Sequence, residues 1–175
     1  SIVLIQAASL NDTLEVIAYD IATIADTVSK ADGGTFEANI TLADGADILT
    51  ASKGTDNVRL GENAGDSIAS GGDENVVIGK DAGTAITTGD RNTAIGHQAG
   101  DAITTGGRNT LMGYKSGSAL VDPDRNVAFG YGSLESDTKG TKSTAIGYSA
   151  LNTQNQTSST DTHNTAVGYT AGESI

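Results

Sequence analysis

The residues of this chain equipped for chemistry are two histidines, His97 and His163, a stock of 22 carboxylates and five tyrosines. Imidazoles bind a metal when a second ligand recurs at a fixed short spacing, and neither histidine has one. Both are expected on the surface. There is no cysteine, so thiolate metal sites, thiol nucleophiles and disulfides are excluded, and the redox compartment cannot be read. No G-x-S-x-G, P-loop or H-E-x-x-H occurs. The G-G-x-G-x-D calcium repeat is absent too, since "SGGDEN" and "TGGRN" lack its regular aspartates. "VDPDRN" from Val121 leaves two readings, an adventitious calcium loop or a self-satisfied acidic turn, and the turn is favoured. Nothing in the spacing selects a catalytic carboxylate pair, and a thin repetitive fold offers no evident cleft for one. No catalytic residue, cofactor or metal ligand is therefore expected. Tyr114, Tyr131, Tyr148 and Tyr169 fall at matching places. They read as a receptor-facing sugar platform or as an apolar ladder with wet hydroxyls, the second being favoured.

What positions these residues is a repeat. The phrase N-[T/V]-x-φ-G-x-x-[A/S], with φ apolar, runs from "NVRLGENAG" at Asn57 through "NVVIGKDAG", "NTAIGHQAG", "NTLMGYKSG", "NVAFGYGSL" and "STAIGYSAL" to "NTAVGYTAG" at Asn164. Its glycines stand at 61, 79, 96, 113, 130, 147 and 168, so the steps are 18, 17, 17, 17, 17 and 21. Each period holds two short β-branched pieces, N-T-A-I and A-I-T-T, between glycine turns, which is strand and turn chemistry. The pieces are too short for helices, whose interiors the glycines would destabilise by roughly 1 kcal/mol each.

Two strands and two turns per ~17 residues make one coil of a parallel β-solenoid, because a single coil cannot bury its own apolar face. Stacking would align Leu60, Ile78, Ile95, Met112, Phe129, Ile146 and Val167 into a core column, with Ile68, Ile86, Ile103 and Leu120 on the second strand. A meander of antiparallel hairpins is the competing geometry; equal spacing and phase favour the solenoid. Asn75, Asn92, Asn109 and Asn126 would form a polar column, read either as an ion or sugar site or, preferably, as a buried amide ladder. In the later copies the second glycine becomes Leu134 and Leu151, and the second strand turns polar. The 21-residue step implies a bulged loop around 153–163.

Residues 1–52 differ from the repeat: "DTLEVIAYDI" alternates like a strand, "GGTFEANITL" resumes the pattern, and a small separate β module is expected there. Residues 53–56 read as a joint, and 57–175 as the repeat region. The start lacks Met and the end falls inside a repeat phrase, so both ends are expected to be boundaries of a fragment. The net charge of −12, with ten basic residues against 22 acidic, argues against nucleic acid and anionic lipid. No apolar run reaches the ~20 residues of a membrane span, and no membrane insertion is expected.

"NTAIGHQAG", "STAIGYSAL" and "NTAVGYTAG" resemble the NTAIGY-type repeats of bacteriophage tail fibres and related appendages, and "DTLEVIAYDIATIADTVSKADGGTFEANITL" is similar to the stretch preceding them. The repeat is also similar to that in the heads of trimeric autotransporter adhesins. The resemblance implies an all-β fold, a left-handed parallel β-roll in a homotrimeric fibre. The expected function is a non-enzymatic virion fibre segment, extracellular, attached to other fibre or tail proteins. It would hold or form an adhesin for a host glycan or outer-membrane protein. A bacterial adhesin head is the alternative, and a glycan-degrading tailspike a more distant one, since two Phe and no Trp offer few aromatics for a sugar groove. Self-packing of a thin coil points the same way: two apolar faces need cover, and three copies about an axis would provide it.

Overall fold

The computed structural model describes residues 53–173; the β module expected over 1–52 lies outside them. Among the described residues nine short strands follow one another: β1 Val58–Leu60, β2 Val76–Ile78, β3 Thr93–Ile95, β4 Thr110–Met112, β5 Val127–Phe129, β6 Gly140–Thr141, β7 Thr144–Ile146, β8 Thr160–Asp161 and β9 Thr165–Val167. No helix occurs among the described residues. Seven strands form one parallel sheet in the order β1-β2-β3-β4-β5-β7-β9, and β6 pairs with β8. Every pairing is parallel and in phase with the repeat: Leu60 aligns with Ile78, Ile78 with Ile95, Ile95 with Met112. The chain is a parallel β-solenoid of about six turns, and the antiparallel meander is excluded.

Backbone hydrogen bonds run from coil to coil around the whole perimeter, not along the sheet alone. Gly79 N–H donates to Leu60 C=O (2.7 Å), Asp81 N–H to Glu62 C=O (2.8 Å), Gly65 N–H to Ala82 C=O (2.9 Å) and Arg91 N–H to Asp73 C=O (3.0 Å). The ladder begins before the first phrase, where Thr55 C=O accepts from Glu74 N–H at 3.0 Å, so the joint residues already stack on the first coil. Corners are made by columns of positive φ, such as Gln98 (58°), Gly100 (56°) and Arg108 (61°) in one coil. The phrase glycine is required by contact as well as by φ. At Gly113 (φ +133°) a Cβ would sit 2.4 Å from Gly130 O in the next coil, closer than any real side chain approaches.

Two sequence expectations need correction. The second piece of each period, A-I-T-T, is not a strand in the first coils. It bonds to the next coil at alternate residues, as from Ala85 N–H to Asp101 C=O (3.1 Å) and Thr87 N–H to Thr104 C=O (2.9 Å), but the corners on both sides leave too short a straight stretch for a strand. Second, the expected core column is on the wrong side. Leu60, Ile78, Ile95, Met112, Phe129, Ile146 and Val167 stack in register, but on the outer face of the sheet. Phe129 is 52 % exposed and Val167 67 %, whereas their neighbours Ala128 and Ala166 are 0 % and 8 %. The interior is narrow, so the middle residue of each strand faces inward and is small in four of seven coils (Ala94, Ala128, Ala145, Ala166).

The interior is completed from the opposite wall by Ile68, Ile86, Ile103 and Leu120. Each buried side chain of this size contributes on the order of 1.5–3 kcal/mol. After β5 the packing changes hands. Leu134 and Leu151 replace the corner glycine at φ 54° and 49°, and the positions matching Leu120 become Asp137 and Gln154, both buried. A Cβ on Gly117 would meet Leu120 Cδ1 at 2.8 Å and Leu111 Cδ2 at 2.9 Å. The corner can hold leucine only where the opposite wall has given up its own and the strand residue is alanine. Left-handed leucine costs roughly 1–2 kcal/mol, which its burial offsets. Gln154 donates to the Asp137 carboxylate, which also accepts from the amides of Gly140 (3.0 Å) and Gln156 (2.9 Å).

The longer last step is localised. Thr138 contacts Asn155 and Gln156, 17 and 18 residues on, but Gly140 pairs with Thr160, an offset of 20, and Ala145 with Ala166, an offset of 21. Most of the added residues thus lie between Gln156 and Thr160, within the loop expected at 153–163.

Candidate functional surface

The two histidines do not come together. His97 stands two residues after β3 and His163 two residues before β9, at opposite ends of the strands. Both are exposed. His97 Nε2 lies 3.6 Å from an Asp81 carboxylate oxygen. Among the described residues no group of three or more His, Asp or Glu is placed to hold a metal ion.

The acidic motifs face the neighbouring coil. Asp122, in "VDPDRN", accepts from the hydroxyls of Thr104 (2.6 Å) and Thr105 (2.8 Å), and Asp124 from Gly107 N–H at 2.9 Å. Those hydroxyls hold the Asp122 carboxyl below its usual range. Asp73 is lowered likewise, first by the Thr55 amide. Asp101 is shifted upward by burial. The loop is the satisfied acidic turn of the two readings.

The asparagine column is also satisfied internally. Asn75 Nδ2 donates to Gly89 O (2.8 Å) while its Oδ1 accepts from Asn92 N–H (2.8 Å), and Asn92 Nδ2 donates to Gly106 O (2.9 Å). Asn57, Asn109 and Asn126 repeat the pattern, and Ser143 N–H donates to Asn126 Oδ1. Each amide staples the backbone of two coils. Its polar atoms are used up and Asn75, Asn92, Asn109 and Asn126 are at most 1 % exposed, so this column presents nothing to a sugar or ion.

The tyrosines form a face-to-face stack. Centroids of Tyr114, Tyr131, Tyr148 and Tyr169 are separated by 4.9, 4.9 and 5.0 Å, with interplanar angles of 19°, 6° and 10°. His97 lies over the outer side of Tyr114, tilted 56° at 5.4 Å. Sugar binding by stacking needs a free ring face, and the stack covers all but the last. What the column offers outward is ring edges and a file of hydroxyls, none with a protein partner among the described residues. Of the two readings, the geometry is that of the ladder.

The outer sheet face is thereby bounded on one side by the residue two after each strand. The other side is bounded by the residue two before it: Asp56, Glu74, Arg91, Arg108, Arg125, Lys142 and His163, every one at positive φ. The sequence reading missed this basic column, although the Arg-Asn dipeptide opening three phrases carries it. Carboxylates lie beside most of its rungs. Arg91 pairs with Glu74 at 2.7 Å, Arg125 has Asp124 at 3.8 Å and Lys142 pairs with Asp161. Arg108 has no carboxylate partner among the described residues.

No family model, curated protein or solved structure matches the chain.

Proposed function

We propose that the chain is a structural segment of a bacteriophage virion fibre, in which three parallel copies pack about one axis. It acts outside the cell, joined to other fibre or tail proteins, and holds or forms the adhesive part that meets a host glycan or outer-membrane protein. The observation that supports this is the inverted distribution of apolar side chains. Alanines fill much of the coil interior while Leu60, Phe129, Ile146 and Val167 lie at 37–67 % exposure on one continuous face, a stripe that a soluble rod has reason to cover. A rod of stacked coils, with its backbone groups paired around the perimeter, suits holding something at a distance. The repeats of phage fibres that the phrases resemble supply the rest.

Light scattering on the purified chain should give three times 17.6 kDa. Antibodies raised against it should decorate the distal appendages of virions in electron micrographs. A monomer of intact β structure at micromolar concentration would remove the trimer, and label confined to bacterial surfaces would move the chain to the adhesins.

A further inference from the structure

Along the solenoid, the two columns that bound the strand face change character together. In the first two coils both are charged: Asp56 before β1 and Glu62 after it, then Glu74 and Lys80. From β3 onward the column before the strands is basic and the column after them is aromatic: Arg91 with His97, Arg108 with Tyr114, Arg125 with Tyr131, Lys142 with Tyr148, His163 with Tyr169. Within one chain the two columns do not meet. They are six residues apart along extended backbone, on the order of 15–20 Å. In a cyclic assembly with the strand faces turned inward, the leading edge of each copy abuts the trailing edge of the next.

We propose that in the fibre the basic column of one copy docks on the tyrosine column of its neighbour, coil against coil. This rests on the trimeric reading above and names its seam. The contact is a hydrogen bond from guanidinium or ammonium N–H to the phenol oxygen. Cation–π contact over the rings has little room, because the stack covers the faces between tyrosines and Lys115 of the same chain already lies 5.7 Å from the Tyr114 centroid. A neutral acceptor suits these rungs better than a polyanion would. Glu74, Asp90, Asp124 and Asp161 stand beside the cations and offset most of their charge, leaving donors to fill rather than charge to neutralise.

Register follows from the first two coils. In register, or with the basic column matched one coil toward the C-terminus, every rung from Arg108 to Lys142 meets a tyrosine; the in-register pairing carries one like-charge rung, Asp56 against Glu62, and the one-coil advance carries none. A slip of one coil the other way sets Glu74 against Glu62 and Arg91 against Lys80, two like-charge rungs. An antiparallel neighbour with its strand face still inward runs its strands the other way as well, and so sets basic column against basic column and tyrosine column against tyrosine column.

The chain has no cysteine, so paired cysteines test the seam without background. Two variants of the full chain are made, Arg108→Cys with Tyr114→Cys, and Arg108→Cys with Tyr131→Cys. A disulfide needs Cα atoms within about 7 Å, which bars bonding within one chain. Under mild oxidation one of the two should run as a covalent trimer, the first for register, the second for the one-coil advance. A three-chain mass by light scattering with no covalent trimer from either pair, by disulfide or short bis-maleimide, would overturn the seam and leave the trimer standing. Covalent dimers alone would also overturn it, since they mark a two-fold contact. A one-chain mass would overturn both readings. Independently, the triple variant Tyr114→Phe, Tyr131→Phe, Tyr148→Phe keeps the stack and removes the hydroxyls. Subunit exchange should quicken at least about tenfold; an unchanged rate counts against the hydroxyl contact.

Discussion

Replacing Asn92 by alanine removes one rung of the internal amide ladder, and the cost can be worked from its bonds. Asn92 Oδ1 accepts from Asn109 N–H (3.1 Å) and Asn109 Nδ2 (2.9 Å), and its Nδ2 donates to Gly106 O (2.9 Å). Alanine leaves two backbone groups without these partners, the Asn109 N–H and the Gly106 C=O. The Asn109 side chain keeps Gly107 O and Pro123 O. Each buried group left unpaired costs about 1–3 kcal/mol, so the expected loss is about 2–6 kcal/mol, the low end applying if water enters the gap. Apolar area hardly changes, so no hydrophobic term competes. Chemical denaturation followed by circular dichroism is the assay. It is run at one protein concentration, since assembly would otherwise shift the midpoint. Thr93→Ala, one residue on and pointing outward, should stay within about 0.5 kcal/mol. If Asn92→Ala matched that control, the ladder would be decoration and the reasoning refuted.

Gly113→Ala should be worse than any ordinary surface change, beyond about 3 kcal/mol, because its Cβ would stand 2.4 Å from Gly130 O at a φ alanine avoids; near-native thermal stability would contradict it. The change in core packing predicts coupling. Leu134→Gly alone should cost about 2–5 kcal/mol, and Asp137→Leu, which strips Gly140, Gln154 and Gln156 of their acceptor, should cost about 0.5–3 kcal/mol less in that background than in the parent chain. A double-mutant cycle with no interaction energy would sink that account. For Asp122 the folded carboxyl is depressed, first by the hydroxyls of Thr104 and Thr105. Its contribution is therefore present above the unfolded value of about 3.9 and lost as pH falls through the folded one. Asp122→Asn should be less stable at neutral pH and show a shallower acid limb; an unchanged limb in pH-dependent melting would count against it.

Period, strand position and parallel phase were legible because a solenoid writes each of them seven times. Parity along the strand was also legible: Thr93 and Ile95 do share a face. Which face was inside was not, and the reason is physical. Hydrophobicity ranks isoleucine above alanine for burial, but only some coils take large side chains from both walls, as with Leu111 and Leu120, and in others the strand side is alanine. Ile103 takes the room, Ala94 yields it, and Ile95 goes outside. The same limit hid the switch at Leu134, which makes sense only once Asp137 is seen opposite. The tyrosine column was found because aromatics attract notice. The basic column is not conspicuous in the sequence, because Arg91, Arg108, Arg125 and Lys142 match ordinary solvated charge until the coils are stacked.

Stacking also explains why so little chemistry is written into the repeat. Whatever side chain occupies a position recurs about 4.8 Å above and below, so residue types are selected by how well they tolerate their own kind. Amides and aromatic rings gain by it, as Asn75 through Asn126 and Tyr131 through Tyr169 do. Like charges lose: at that spacing two unit charges repel by roughly 1 kcal/mol in water and more near a protein surface. The column two residues after Ala64 obeys this, running Asp66, Thr84, Asp101, Ser118, Glu135, Asn152, with every acid separated by a neutral residue. Against that rule, Arg91, Arg108, Arg125 and Lys142 stand on four consecutive coils. Carboxylates alongside lower the cost, but they would do so equally well for alternating charges. Like charges also stack at Asp56 with Glu74 and at Asp73 with Asp90, but the cationic run is longer, and the proposed seam would give it an acceptor that repeats at the same interval. In this molecule the file of tyrosines on the far edge of the same face, with ring centroids 4.9–5.0 Å apart, has that interval, and its hydroxyls lack donors among the described residues.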